Sequence, residues 1–210
     1  MWEMIHKGGP MMYLIILCSI LALGIVIERI YHLARAKIDT QKFMDNILNT
    51  LKRNKIIEAI ELCNNMPGPI AHIVKAGIIK HDRSKPEIKE AIEEAGQVEV
   101  PRLEKNIGVL ATIAHISPLL GLLGTVGGMI KSFQVIQQKA TALVPVNPGD
   151  LAGGIWESLL ATAAGIAVAI PTFIAFNYLS GQVEELINDM ERSAIDLVNL
   201  LSSRRDTYEV

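Results

Sequence analysis

The side chains best placed to handle an ion lie inside apolar stretches: Thr125, Thr162, His115 and Glu157. Glu157 is the sole formal charge within Met11–Ile27, Ile107–Ile130 and Ile155–Leu179. An acid at membrane depth is a functional group by default. Glu157 is also the third residue of its stretch, where a first-turn carboxylate suits the helix dipole and water is in reach. Both readings are open from position alone. Thr125 lies five residues before the end of its stretch and Thr162 seven residues into its own. In an antiparallel hairpin that puts them about 8 and 10 Å below one surface, close enough to share a layer. A hydroxyl there either serves an ion and its water or bonds the carbonyl one turn back. His115 is more readily a packing residue than a relay, because a relay needs successive partners and none is near in sequence. No enzyme is expected: there is no Gly-rich phosphate loop with its Lys, no Cys or His pair at zinc spacing, and no G-x-S-x-G. His72 and His81 are nine apart, away from i, i+4 ligand geometry. No cofactor and no metal are implied. With 20 Lys plus Arg against 22 Asp plus Glu, the chain has no basic excess for nucleic acid.

The elements that must position these residues are membrane helices. The chain is 50% hydrophobic, with a mean hydropathy of +0.32. The second and third apolar stretches hold 24 and 25 residues. At about 36 Å each they exceed a hydrocarbon core of about 30 Å. The first holds 17, or 20 if it starts at Gly8 with Pro10 in its first turn. Lys7 before this run raises the alternative of a cleaved signal peptide, but Glu28 and Arg29 stand where a small-residue cleavage site belongs. Seventeen of the 20 Lys and Arg fall between Glu28 and Asn106 or in the tail, against Lys7, Lys131 and Lys139 elsewhere. Cations near span ends resist translocation, so the N-terminus is expected outside and the C-terminus in the cytoplasm. The expected map is an outer segment 1–10, spans 11–27, 107–130 and 155–179, a cytoplasmic helical domain 28–106, an outer connection 131–154, and a cytoplasmic helix and tail 180–210. The fold class is an all-α membrane protein with three transmembrane helices, long helical extensions and a helical cytoplasmic domain.

Spacing also predicts packing. Gly121, Gly124, Gly127 and Gly128 form a nearly side-chain-free surface, and Ala161, Gly165 and Ala169 recur every four residues beside Ser158 and Thr162. Close helix approach is the usual use of such stripes. Pro118 and Pro171 free backbone carbonyls, which either shape the bundle or bring irregular backbone to a pore. Within the loop, helices are predicted over 43–51, 56–63 and 70–79 and after Pro86, with a kink at Pro101. Residues 155–201 read as one helix of 47 residues, roughly 70 Å long. Its stripe of Val183, Leu186, Ile187, Met190, Ala194, Leu197, Val198 and Leu201 needs cover from the loop helices, from another copy of the chain, or from both. Cys18 lies within the first span and Cys63 in the loop, so no disulfide framework forms.

Two segments carry a family resemblance: SPLLGLLGTVGGMIKSF, Ser117–Phe133, and GIWESLLATAAGIAVAIPTFIAFNYL, Gly154–Leu179. The first is similar to the A-P-x-x-G-L-x-G-T-V-x-G pattern of the MotA/TolQ/ExbB proton channel family, with Pro118, Gly121, Leu122, Gly124, Thr125, Val126 and Gly128 in place. The second resembles G-I-x-E-A-L-x-A-T-A-x-G-L through Gly154, Ile155, Glu157, Leu159, Ala161, Thr162, Ala163 and Gly165, then Pro171 and Asn177. Ser117, Gly127, Trp156 and Ser158 depart from the pattern. Three spans favour the ExbB and TolQ branch over MotA, which has four. The resemblance implies a homopentamer in the bacterial inner membrane whose second and third spans enclose a dimer of single-span ExbD or TolR type partners. It implies that Thr125, Thr162 and Glu157 line or border the proton route. Ion flow would then drive work at the outer envelope through a TonB-like protein or, in the alternative, a TolA-like one. A non-conducting structural ring is the competing class. A small solute transporter would need an internal repeat and a midplane polar site, and the sequence has neither.

Overall fold

A computed structural model describes residues 8–37 and 39–208, the last five as backbone alone. Lys7 and most of the expected outer segment lie outside the described residues, as do the side chains of Arg204 and Arg205. Every regular element described is helical: α1 (Gly9–Ala36), α2 (Thr40–Lys52), α3 (Ile56–Asn65), α4 (Pro69–Ile79), α5 (Lys85–Glu104), α6 (Ile107–Thr141) and α7 (Pro148–Tyr208). Three helical stretches, carried by α1, α6 and α7, are long and apolar enough to cross a bilayer. The chain is an all-α membrane protein.

Two compact units divide it. One comprises Met1–Glu28 and Asn106–Tyr178, the other Arg29–Lys105 and Leu179–Val210. In the first unit, α1 buries a narrow stripe through Met12, Ile15 and Ala22, while Tyr13, Leu14, Leu17, Ile20, Leu21, Leu23 and Ile27 face outward. Outward leucine and isoleucine in such numbers are costly in water and ordinary in lipid.

The second unit is built the other way. Phe43, Met44, Ile47 and Leu51 of α2, Ala59 and Cys63 of α3, and Ile70, Ala71, Ile73, Val74 and Ile78 of α4 form its interior. Ile88, Ile92 and Leu103 of α5 join them. From α7 come Val183, Leu186, Met190, Leu197, Val198 and Leu201, so most of the stripe on that helix is covered by its own chain. At Gly77 a Cβ would stand 2.7 Å from Leu197 Cδ2 and 2.8 Å from Ile92 Cδ1, which fixes how closely α4 meets both neighbours. Ile187 and Ala194 are only half buried and line a groove of about 510 Å³ with Ile73, Ile92 and Gly96. Gly68, at φ 121°, lets the chain turn tightly beneath Ala36 O, 3.0 Å from where a Cβ would project.

Helix ends depart from the hydropathy boundaries. α5 continues through Pro101, where a kink is expected, to Glu104, and Asn106 takes a left-handed conformation (φ 63°) before α6 begins. Asparagine tolerates that region because its short side chain avoids the usual Cβ clash. Both helices extend beyond their apolar runs, α6 continuing to Thr141 and α7 starting at Pro148, so that only residues 142–147 between them are non-helical. Proline suits a first helical position. Asp150, in the same turn, accepts from Asn147 N at 2.8 Å and from Lys139 Nζ at 2.5 Å. Capping, not loss of apolar residues, sets these ends, and α7 reaches 61 residues where 47 were expected.

Candidate functional site

The site is the antiparallel α6–α7 hairpin. Buried on α6 are Ser117, Gly121, Gly124, Gly128 and Ser132, and on α7 Ser158, Ala161, Gly165 and Ala169 with half-buried Gly154. Both rows follow the same four-three-four-four spacing, so small residues meet rung by rung. A Cβ on Gly165 would stand 2.5 Å from Ser117 O, and one on Gly121 3.0 Å from Ala161 O and Thr162 Cα. A Cβ on Gly124 would come within 2.5 Å of Ala161 Cβ, and one on either Gly128 or Gly154 within 2.5 Å of the other's carbonyl oxygen. At Gly121, Gly128, Gly154 and Gly165 glycine is required because backbone meets backbone, and at Gly124 it makes room for the Ala161 methyl. Gly127 is different: a Cβ there meets nothing within 4 Å, so it is not part of the seam that spacing suggested. Ser132 was missed, although it continues the four-residue spacing from Gly128; it donates to Gly128 O at 3.2 Å and Leu151 O at 3.4 Å.

The threonines occupy successive rungs. Thr162 Oγ1 donates across the hairpin to Gly121 O at 3.2 Å, whereas Thr125 Oγ1 donates to Leu122 O on its own helix at 2.6 Å. Ser158 Oγ lies 3.2 Å from Thr125 O. Thr125 therefore faces Ser158, and Thr162 sits one turn further along, about 6 Å away along the axis rather than in a common layer. The expected coincidence of depth assumed that each helix began at the edge of its apolar run.

Pro118 and Pro171 sit inside helices that continue past them. A hydroxyl beside each proline bonds the carbonyl four residues back: Ser117 Oγ to Ile113 O at 2.8 Å and Thr172 Oγ1 to Val168 O at 2.7 Å. His115 Nδ1 lies 2.6 Å from Ala111 O, and its ring meets Phe173 edge-on at 6.3 Å. These are packing contacts.

Glu157 is ten residues into α7, well beyond the first turn, so the helix dipole does not account for it. Its carboxylate instead receives Lys131 Nζ at 2.6 and 2.8 Å, one bond to each oxygen. Gly9 of α1, at φ 69°, packs against the same carboxylate so closely that a Cβ would overlap Glu157 Oε1. Lys131 had counted only as an outer cation, although it is the first charge after the second span and lies opposite the third. Lys139 is likewise engaged, by Asp150.

Over residues 65–192, more than half of the chain, the sequence matches the model of the MotA/TolQ/ExbB proton channel family. It is 31% identical to the Tol-Pal system protein TolQ of Haemophilus influenzae across 81% of this chain and 78% of that protein. With the biopolymer transport protein ExbB of Neisseria meningitidis it shares 27% identity across 96% of this chain and 97% of the relative. A protein of Methanothermobacter thermautotrophicus described as an ExbB homolog is 27% identical over 90% of this chain, which spans 66% of that relative's length.

Proposed function

This chain belongs to the MotA/TolQ/ExbB proton channel family, and from that premise we propose that it is an ExbB-like inner-membrane subunit of a complex driven by the proton motive force. With an ExbD-type single-span partner it energises a TonB-like protein for outer-membrane transport. In this reading a homopentamer holds the partner dimer against α6 and α7, with the N-terminus in the periplasm and the C-terminus in the cytoplasm. Thr125 and Thr162 hydrogen-bond the carrier or its water, and Glu157 borders the outer entrance.

The observation that supports this most directly is what the hairpin has and lacks. Hydroxyls at Thr125 and Thr162 are half-buried on it, yet no formal charge lies between Ile107 and Ile130 or between Ser158 and Leu179. One proton crossing 100 mV releases about 2.3 kcal/mol, and a carrier must take it through the bilayer centre. A partner's buried carboxylate supplies that carrier. A TolQ-like role in envelope integrity is the second reading, favoured by the similarity to the Haemophilus influenzae TolQ across most of both chains.

The test is proton-driven work by assembled complexes. Thr162→Val and Thr125→Val are each expected to lower it roughly tenfold, the worth of one hydrogen bond near 1.4 kcal/mol. Activity near wild type in correctly assembled complexes overturns the threonine role, and retained activity in Glu157→Leu removes Glu157 from the route. Sustained cation permeation through the purified chain alone, abolished by changes at its own hydroxyls, overturns the borrowed carrier. Absence of proton flux with partner binding intact would favour a non-conducting ring.

A further inference from the structure

Between Lys131 and Tyr178 the chain has four formal charges, Lys131, Lys139, Asp150 and Glu157, and all four are used in two ion pairs. The two pairs differ in setting. Asp150 lies in the first turn of its helix, bonded to backbone as well as to Lys139. The Glu157 side chain is 17% exposed, and its two oxygens accept from one ammonium whose own side chain remains 52% exposed. The seam holds both partners in place. Lys131 precedes Ser132, which is pressed against Gly154, and Glu157 precedes Ser158, which is pressed against Gly128. Gly9 closes a further side of the carboxylate.

A part-buried carboxylate with no counter-charge is unfavourable and draws in a cation. Charged side chains at a mouth set which ions enter. We propose that Lys131 is a specificity-determining residue: its tethered ammonium occupies both oxygens of Glu157 and so keeps sodium and potassium ions from binding there. A proton route needs no such ligand shell, because hydroxyls, water and a partner's acid suffice for it, whereas an alkali-metal ion must have its hydration oxygens replaced. The inference rests on the reading of Glu157 as bordering the ion route.

The test has two readouts on the purified protein in its assembled membrane complex: equilibrium retention of radioactive sodium, and proton entry into proteoliposomes at a set membrane potential. Lys131→Gln is expected to raise sodium retention about tenfold over wild type, equivalent to about 1.4 kcal/mol in relative affinity. The double variant Lys131→Gln with Glu157→Gln returns to the wild-type level, and Lys131→Arg stays at it. Lys131→Cys provides a control within one folded protein: the sodium retention it gains is lost when aminoethyl methanethiosulfonate restores an ammonium, with reagent-treated wild type alongside. Retention in Lys131→Gln no higher than wild type, or as high in the double variant as in the single one, overturns the inference. Proton entry separates the two readings. If wild-type vesicles pass no protons the proton-driven reading fails, while the sodium comparison still decides the role of Lys131.

Discussion

The two units use the same apolar residue types in opposite directions. In the second unit Ile47, Leu51, Ile70 and Val74 are fully buried. Arg29 is buried, donating to Arg102 O at 3.2 Å, while other charges lie outside in pairs such as Lys37 with Glu185 at 2.9 Å and Lys89 with Glu93 at 3.2 Å. In the first unit Leu119, Leu122, Leu123 and Val126 face outward, and the helices meet through glycine, serine and alanine. Water drives leucine inward because apolar burial is favourable there. Lipid exerts no such drive, so helices hold together by backbone approach and interhelical hydrogen bonds. One residue type marks the interior in one unit and the exterior in the other. What a pattern means depends on the solvent that reads it.

The largest expected break in this contrast comes at the seam. Gly128→Leu drives a side chain into Ser158 and the Gly154 backbone, and should abolish accumulation of assembled protein in membranes, whereas Gly127→Leu, with open space around it, should accumulate as wild type. Next is the aqueous-type core. Ile47→Ala should cost about 2–5 kcal/mol, read as a lowered unfolding midpoint of the solubilised protein, while Leu119→Ala on the outward face stays within about 0.5 kcal/mol. A smaller effect is expected at the start of α5, where Ser84 N and Oγ both donate to Glu87 Oε2 at 2.9 Å. Ser84→Ala should cost about 1 kcal/mol. Those Ser84 bonds hold the Glu87 carboxyl below the usual carboxylate range. Its contribution is therefore present above the ordinary glutamate value and lost as pH falls through the lowered one, so Glu87→Gln should flatten the acid limb of the stability profile. The smallest effect concerns Cys63. Burial pushes its thiol up to about 11, partly offset by the Lys75 charge. It should resist iodoacetamide at pH 8 until the protein is unfolded, and the stability that its protonated form brings should fall away only as pH rises from about 9 towards about 11.

Much of this was legible in the sequence. The three apolar runs located α1, α6 and α7, and three- and four-residue spacing found α2 to α5, because solvent acts on side chains in a way that leaves a period. The glycine and alanine rows likewise announced a tight hairpin. The ends of α6 and α7 were not legible, because Asp150 caps the turn through Lys139 and Asn147, a contact made across a loop and unmarked by hydropathy. Nor could Gly127 be told from Gly128 by type alone, since which glycine faces the partner depends on helix rotation. The pairing of Glu157 with Lys131, and the closure of that pair by Gly9, needs three segments brought together in space.

The closeness of α6 and α7 also decides where water can go. Gly121, Gly128, Gly154 and Gly165 bring main chain against main chain, and a water molecule about 2.8 Å across has no room between them. At these rungs the seam leaves no space for a file of water between the two helices. A proton route of the kind proposed above would run over the outer surface of the hairpin and not between its two helices.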